Sequence, residues 1–129
     1  MRSIHLIAGA ALLFGAGVAE ARTRLAPDAQ LAKLLDGRVA GTPVSCIPLR
    51  SINSTTIIDD TAIVYRAGRT LYVNRPKNPD SLDDDDIMVT KTYTGNLCSI
   101  DTVDLVDRSS RFQHGFVLLD QFVPYTKPK

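Results

Sequence analysis

Residues 54–76, STTIIDDTAIVYRAGRTLYVNRP, decide the fold class. β-branched and aromatic side chains flank Arg66-Ala67-Gly68-Arg69 on both sides, which is the composition of a β-hairpin. A two-residue loop of Ala67-Gly68 would put Ala67 at positive φ, a costly conformation for a residue with a Cβ. The sequence therefore predicts a three-residue loop, Arg66 to Gly68, with Gly68 in the left-handed position. That register sets Ile63, Tyr65, Leu71 and Val73 on one face, the expected core, and Ala62, Val64, Thr70 and Tyr72 on the other. Asp59-Asp60, inside IIDDTA, reads as a turn, and adjacent turn residues are poorly placed to serve as the carboxylate pair of a glycosidase.

On the N-terminal side of the hairpin, VSCIPL (44–49) is strand-like. Pro48 lacks an amide donor and so belongs at an edge, a bulge or a strand end. Before it, APDAQLAKLLDGR (26–38) predicts one short helix over about 27–36. Pro27 suits its first turn, Asp28 complements the positive helix start, Leu31, Leu34 and Leu35 share a face, and Gly37 stops it. On the C-terminal side, Arg75 to Asp86 is a loop rich in Pro, Asn, Ser and Asp. IMVTKTY (87–93) and LCSIDTVDLVD (97–107) read as strands joined through Thr94-Gly95-Asn96. GFVLLDQF (115–122) gives a last strand before the tail VPYTKPK. Ile100, Val103, Leu105 and Val106 break strict alternation, which a bulge between Ile100 and Val103 or a helical turn would explain. Strands from about 44 to 123, with turn signals at close intervals, predict a mainly β chain. Its architecture is a small antiparallel barrel or sandwich with one short N-terminal helix, closed by one disulfide.

The chain begins with Arg2, an apolar stretch from Leu6 to Ala19 and the small-x-small pattern Ala19-Glu20-Ala21. This is the layout of a secretory signal peptide with cleavage between Ala21 and Arg22. The apolar run falls short of the roughly 20 residues needed to span a bilayer, so no stable membrane anchor is expected after cleavage. Residues 22–129 are then a single exported β domain, placed in the periplasm or secreted. Cys46 and Cys98 are the two cysteines of the chain. In an exported protein they have one possible pairing, and neither a C-x-x-C spacing nor a nearby histidine marks them as active thiols or metal ligands. Net charge is +1, and it stays there when Arg2 and Glu20 are removed. Without a long-range field of one sign, nucleic acid is not an expected partner. Every acid after position 20 is Asp, a residue of caps and turns, which suits a loop-rich β protein.

Three groups could carry chemistry. Asp83 to Asp86 fail the calcium-loop pattern in both frames, since the required oxygen and glycine positions fall on Leu82 and Asp85 or on Ile87 and Met88. Adjacent carboxylates in an extended chain also alternate in direction. The run is expected to be a solvated loop that guards the edge of the following strand, with calcium-dependent stabilisation as an alternative. His114 is the sole histidine after Ala21. A hydrolase using His114 is the alternative function, but no G-x-S-x-G elbow is present and no catalytic residue is assigned. The third group is cationic: Arg66, Arg69, Arg75 and Lys77, interleaved with Tyr65 and Tyr72. A binding face of Arg66, Arg69, Tyr72 and Arg75, with Arg50 near it, is predicted for an anionic ligand or an envelope protein. No cofactor or metal is called for.

The stretches CIPLRSINST, IDDTAIVYRAGRTLYVNRP, KTYTGNLCSIDTVDLVDR and LDQFVPY together resemble a family of small exported proteobacterial proteins of unknown function. The resemblance runs from about Leu31 to Tyr125, and its most specific parts are Cys-x-x-Leu-Arg at 46–50 and Leu-Cys-Ser-Ile-Asp at 97–101. It implies export and the pairing of Cys46 with Cys98, and it supplies no activity. The residues and the resemblance together predict a non-catalytic binding or interaction module.

Overall fold

The computed structural model describes residues 24–129, so the expected signal segment and its cleavage point lie outside the described residues. A helix α1 (Pro27–Leu34) precedes ten strands: β1 (Val39–Ala40), β2 (Cys46–Pro48), β3 (Ser54–Ile58), β4 (Ala62–Ala67), β5 (Thr70–Asn74), β6 (Ile87–Thr90), β7 (Asn96–Cys98), β8 (Thr102–Val106), β9 (Gln113–Leu118) and β10 (Phe122–Thr126). They form three antiparallel sheets, ordered β1-β10-β5-β4-β3, β2-β7 and β6-β8-β9. No helix among the described residues is long and apolar enough to cross a membrane.

The packing is sandwich-like, and the five-stranded sheet is its middle layer. On one side Ile63, Tyr65 and Phe122 pack with Ile47 and Leu97 of the two-stranded sheet and with Val103, Leu105 and Val117 of the three-stranded sheet. On the other side Ile58, Ala62, Val64, Leu71 and Val73 are covered by Leu31 of α1, with Leu34 and Leu35 at its margin. Eight helical residues cannot persist alone, and this contact with the sheet holds them. Burial on both faces explains why β4 reads as an unbroken apolar run, Ala62 to Tyr65, rather than an alternating one.

The hairpin departs from the expected register. Ala67 pairs with Thr70, so the loop is two residues, Gly68-Arg69, with Gly68 at φ +61°. Glycine at the first central position is the requirement of a type II′ turn, which relieves Ala67 of positive φ altogether. The one-residue difference moves Leu71 and Val73 to the face of Ala62 and Val64, and Tyr72 to that of Ile63 and Tyr65. Both faces being buried, all four expected core residues remain in the interior.

Three further connections differ from expectation. β6 pairs with β8 rather than forming a hairpin with β7 through Gly95; β7 instead pairs with β2, setting Cys46 opposite Cys98 and Ile47 opposite Leu97. LCSIDTVDLVD divides into β7 and β8 at a turn in which the Cys98 N–H donates to Asp101 Oδ2 (2.7 Å) and the Asp101 N–H to Cys98 O (2.9 Å). Strict alternation then resumes with Val103 and Leu105 inward, while Ile100 is left at 90% exposure. The bulge lies on β9 instead, where the pairing steps from Leu105–Gly115 to Val106–Gln113 and leaves His114 unpaired. Finally, VPYT is no tail. It lies in β10, between β1 and β5. Pro124 is tolerated there because its carbonyl points to the Gly41 N–H (2.7 Å), so its nitrogen faces the same side, beyond the two residues of β1. The bend that separates β9 from β10 is fixed by the buried Asn74, whose amide donates to Asp120 O and whose carbonyl accepts from the Asp120 N–H.

Cys46 and Cys98 form the disulfide, closing a sequence separation of 52 residues. The bond spans two strands of three residues each, a pairing too short to be stable alone. Through it Ile47 and Leu97 are held in the core at 2% and 0% exposure.

Candidate functional site

The sheet carries opposite charge at its two ends, and β4 connects them. At the β3–β4 turn stands an acidic cleft. At the β4–β5 turn stands a basic groove.

The acidic end is built by a loop that folds back. Asp60 sits at φ +54° in a turn closed by the Thr61 N–H to Ile58 O (3.1 Å), and the Asp60 N–H donates to Leu82 O (3.2 Å). Leu82, buried at 3%, anchors the otherwise polar loop in the core. The Asp84 N–H donates to Asp59 Oδ1 (2.6 Å). This brings carboxylate oxygens of Asp59, Asp83 and Asp84 within 4.8 Å of one another, contrary to the expected alternation of an extended run. Arg24 supplies positive charge, pairing with Asp84 and reaching Asp59 at 3.8 Å. Asp60, Asp80, Ser81 and His114 complete the cleft.

Asp86 corrects the expectation of a solvated run. It is 7% exposed, and Oδ2 has no hydrogen-bond partner among the described residues. Its other oxygen accepts from Nε2–H of His114 at 2.8 Å. The hydrogen bond to Asp86, together with the negative charges of Asp86, Asp107 and Asp83, raises the His114 pKa above its ordinary 6.5. Burial of Asp86 and the bulge at His114 serve the same contact, because the unpaired bulge residue is the one whose side chain can be re-aimed. Among the described residues no Ser or Thr hydroxyl is hydrogen-bonded to the imidazole. The pair has the carboxylate–imidazole contact found in hydrolytic triads, but it is made through Nε2, the nitrogen that faces the nucleophile there.

At the other end, Arg38, Arg66, Gly68, Arg69, Thr126, Lys127, Pro128 and Lys129 line one groove. Five of these are cations, and no Asp lines it. Two contacts assemble it. Arg38, in the segment after α1, donates Nη1 to Arg69 O (2.8 Å) and Tyr125 O (3.2 Å), clamping the hairpin tip to β10. Asn53 accepts from the Gly68 N–H at 2.7 Å and its own N–H donates to Arg66 O at 2.7 Å, fixing the turn from the other side. No ion pair engages Arg38, Arg66, Arg69, Lys127 or Lys129 among the described residues.

The expected binding face is thereby regrouped. Arg66 and Arg69 belong to the groove. Tyr72 does not, since it is half-buried on the opposite side of the sheet against the core. Arg75 lies past the far end of β5, roughly 20 Å along the strand from Arg69, beside Pro43 and Asp120. Arg50 lines a separate depression with Thr94, Gly95 and Asn96. Arg38, Lys127 and Lys129 were not singled out by the sequence. The basic composition of TKPK was visible, but its place beside the hairpin depends on β10 pairing with β5, for which no local signal exists.

No family model, curated protein or solved structure matches the chain.

Proposed function

We propose that the protein is a non-catalytic binding module of an extracytoplasmic compartment, and that its partner presents negative charge to the basic groove at the β4–β5 turn. The observation that carries this reading is the segregation of charge: five cationic side chains with no Asp side chain among them converge on one groove, in a molecule whose net charge is only +1. Cations that served solubility alone would be interspersed with acids. Here the clustered Asp residues sit at the opposite end of β4. The Arg38 side chain is held by the Arg69 and Tyr125 carbonyls, which lowers its ordering cost on binding. Arginine forks suit carboxylate, sulfate or phosphate groups. The disulfide supports an oxidising location, and the leader pattern supports export to the periplasm or beyond. The resemblance to small exported proteobacterial proteins points the same way.

The test is capture from a cell-envelope extract by the immobilised wild type and by an Arg66→Glu, Arg69→Glu variant. A component retained by the first and released by the second supports the reading. Identical captures from the two remove it.

A further inference from the structure

The acidic run is a short turn between two anchored points. Leu82 is fixed in the core and Ile87 is paired with Val106, so residues 83–86 are the piece that can move. Inside the turn, the Asp86 N–H donates to Asp83 O (3.1 Å) and the Asp85 N–H to Asp83 Oδ1 (2.9 Å). Outward, Asp84 reaches Asp59 through its N–H (2.6 Å) and Arg24 through its carboxylate, and Asp85 O accepts from Arg108 Nε (3.1 Å). The side chains of Arg24 and Arg108 are 63% and 57% exposed, so their ion pairs hold weakly. Asp86 is the one carboxylate of the four that is buried, and its contact with His114 ties the turn to β9.

That contact depends on charge. Among the described residues, His114 Nε2 is the one group hydrogen-bonded to the Asp86 side chain, and Oδ2 has no partner. A protonated imidazole carries N–H on both ring nitrogens and a charge that balances the carboxylate. A neutral one bears a single N–H, shared between two tautomers, and leaves the buried carboxylate without a counter-ion. Turning Asp86 out to water relieves that cost, and only residues 83–86 need move. The surroundings act in the same direction. Asp83 in the turn and Asp107 after β8 add negative charge at the imidazole. Across the cleft His114 faces Asp59, Asp60, Asp80 and Asp84, with Arg24 as the other cation. Loss of the His114 proton removes positive charge from a cleft lined with five acids, and two of these, Asp83 and Asp84, travel with the turn.

We propose that His114 is a pH-operated latch: charged, it clamps the 83–86 turn against β9, and on losing its proton it releases the turn and opens the acidic cleft. The β9 bulge aims the latch, because it leaves His114 out of the ladder and free to meet Asp86. Because contact with Asp86 raises the His114 pKa, the closed turn is favoured in full below about 6.5, the value of a free imidazole, and loses that support as pH climbs through the closed-state value. The latch lies at the opposite end of β4 from the basic groove and does not rest on it.

Amide exchange of Asp84 and Asp86, followed by NMR at about pH 5.5 and about pH 8.5 on either side of the imidazole range, tests it once the base-catalysed exchange of free peptide is divided out. Protection of these two amides is expected to fall by about tenfold at the higher pH, as a hydrogen bond between two charged groups gives way to a weaker one. It should lie well below that of β4, which is paired on both sides, at either pH, marking the opening as local. His114→Gln has no charge at either pH and should show the high-pH value at both. Asp86→Asn has no charge to strand and should lose most of the difference. His114 is half-exposed and Asn keeps the shape of Asp, and thermal melts would confirm that both variants are folded. Protection independent of pH in the wild type, an unaltered fall in either variant, or turn amides as protected as those of β4 would each overturn the proposal.

Discussion

Replacing Tyr65 with Phe is expected to stabilise the protein. Tyr65 is 4% exposed in the main core, its ring meets Phe122 edge-on with centroids 5.8 Å apart, and its hydroxyl is buried without a hydrogen-bond partner among the described residues. Burial also drives its pKa well above the usual value, the signature of an oxygen shielded from water. An unsatisfied buried hydroxyl costs about 1–3 kcal/mol. Removing it leaves a void of roughly 15 Å³, which at about 24 cal/mol per Å³ returns only about 0.4 kcal/mol as a penalty. The ring contacts are untouched. The net gain is about 1 kcal/mol, or roughly 4–8 °C in Tm for a domain of this size. Urea unfolding of both proteins measures it: the midpoint should rise with the slope unchanged. A loss of about 1 kcal/mol or more would refute the reasoning, because it would mean that the hydroxyl is satisfied, for example by an internal water.

The disulfide and the His114–Asp86 pair give two further expectations. Reducing Cys46–Cys98 should cost about 4 kcal/mol from loop entropy alone over its 52-residue separation, and more if Ile47 and Leu97 leave the core with β2 and β7, so a thermal melt with and without reductant should show a large downward shift. His114 should titrate above 6.5 by NMR, and Asp86→Asn should lower that value. Because the pKa is raised in the folded state, the pair's contribution to stability is fully present below the unfolded pKa of about 6.5 and is lost as pH climbs through the folded value. Melts of the wild type should therefore decline across that window, and the decline should be absent from His114→Ala.

Local features were legible in the sequence, and features that depend on long-range pairing were not. Pro27, the leucines at 31, 34 and 35, and Gly37 mark α1 within a dozen residues, and α1 ends two residues before the expected limit. The β content and the hairpin were equally local, and the Cys46–Cys98 pair, though 52 residues apart, was legible because two cysteines allow a single pairing. The hairpin loop was misplaced by one residue because Gly68 serves a two-residue turn when it comes first and a three-residue turn when it comes last. In a sheet buried on both faces, apolar alternation offers no check on that choice. The course of β7 away from β6, the burial of Asp86 beside a bulge some thirty residues later, and the meeting of TKPK with the hairpin tip all depend on strand order. A reading of residues in a row could name Arg66 and Arg69, but it grouped them with Tyr72 and Arg75, which the sheet directs elsewhere.

The claim that the basic groove is the ligand face is tested most directly by titrating a sulfated oligosaccharide, as a polyanion probe, into the wild type and two doubly reversed variants at low ionic strength. Arg66→Glu with Arg69→Glu removes two groove cations, and Arg50→Glu with Arg75→Glu removes the same formal charge from sites outside it. The account predicts that the first weakens binding by about 3 kcal/mol, a hundredfold, at about 1.5 kcal/mol per charged contact, while the second leaves it near the wild-type value. Equal weakening in both variants would show that net charge alone drives binding, and would contradict the assignment of the groove.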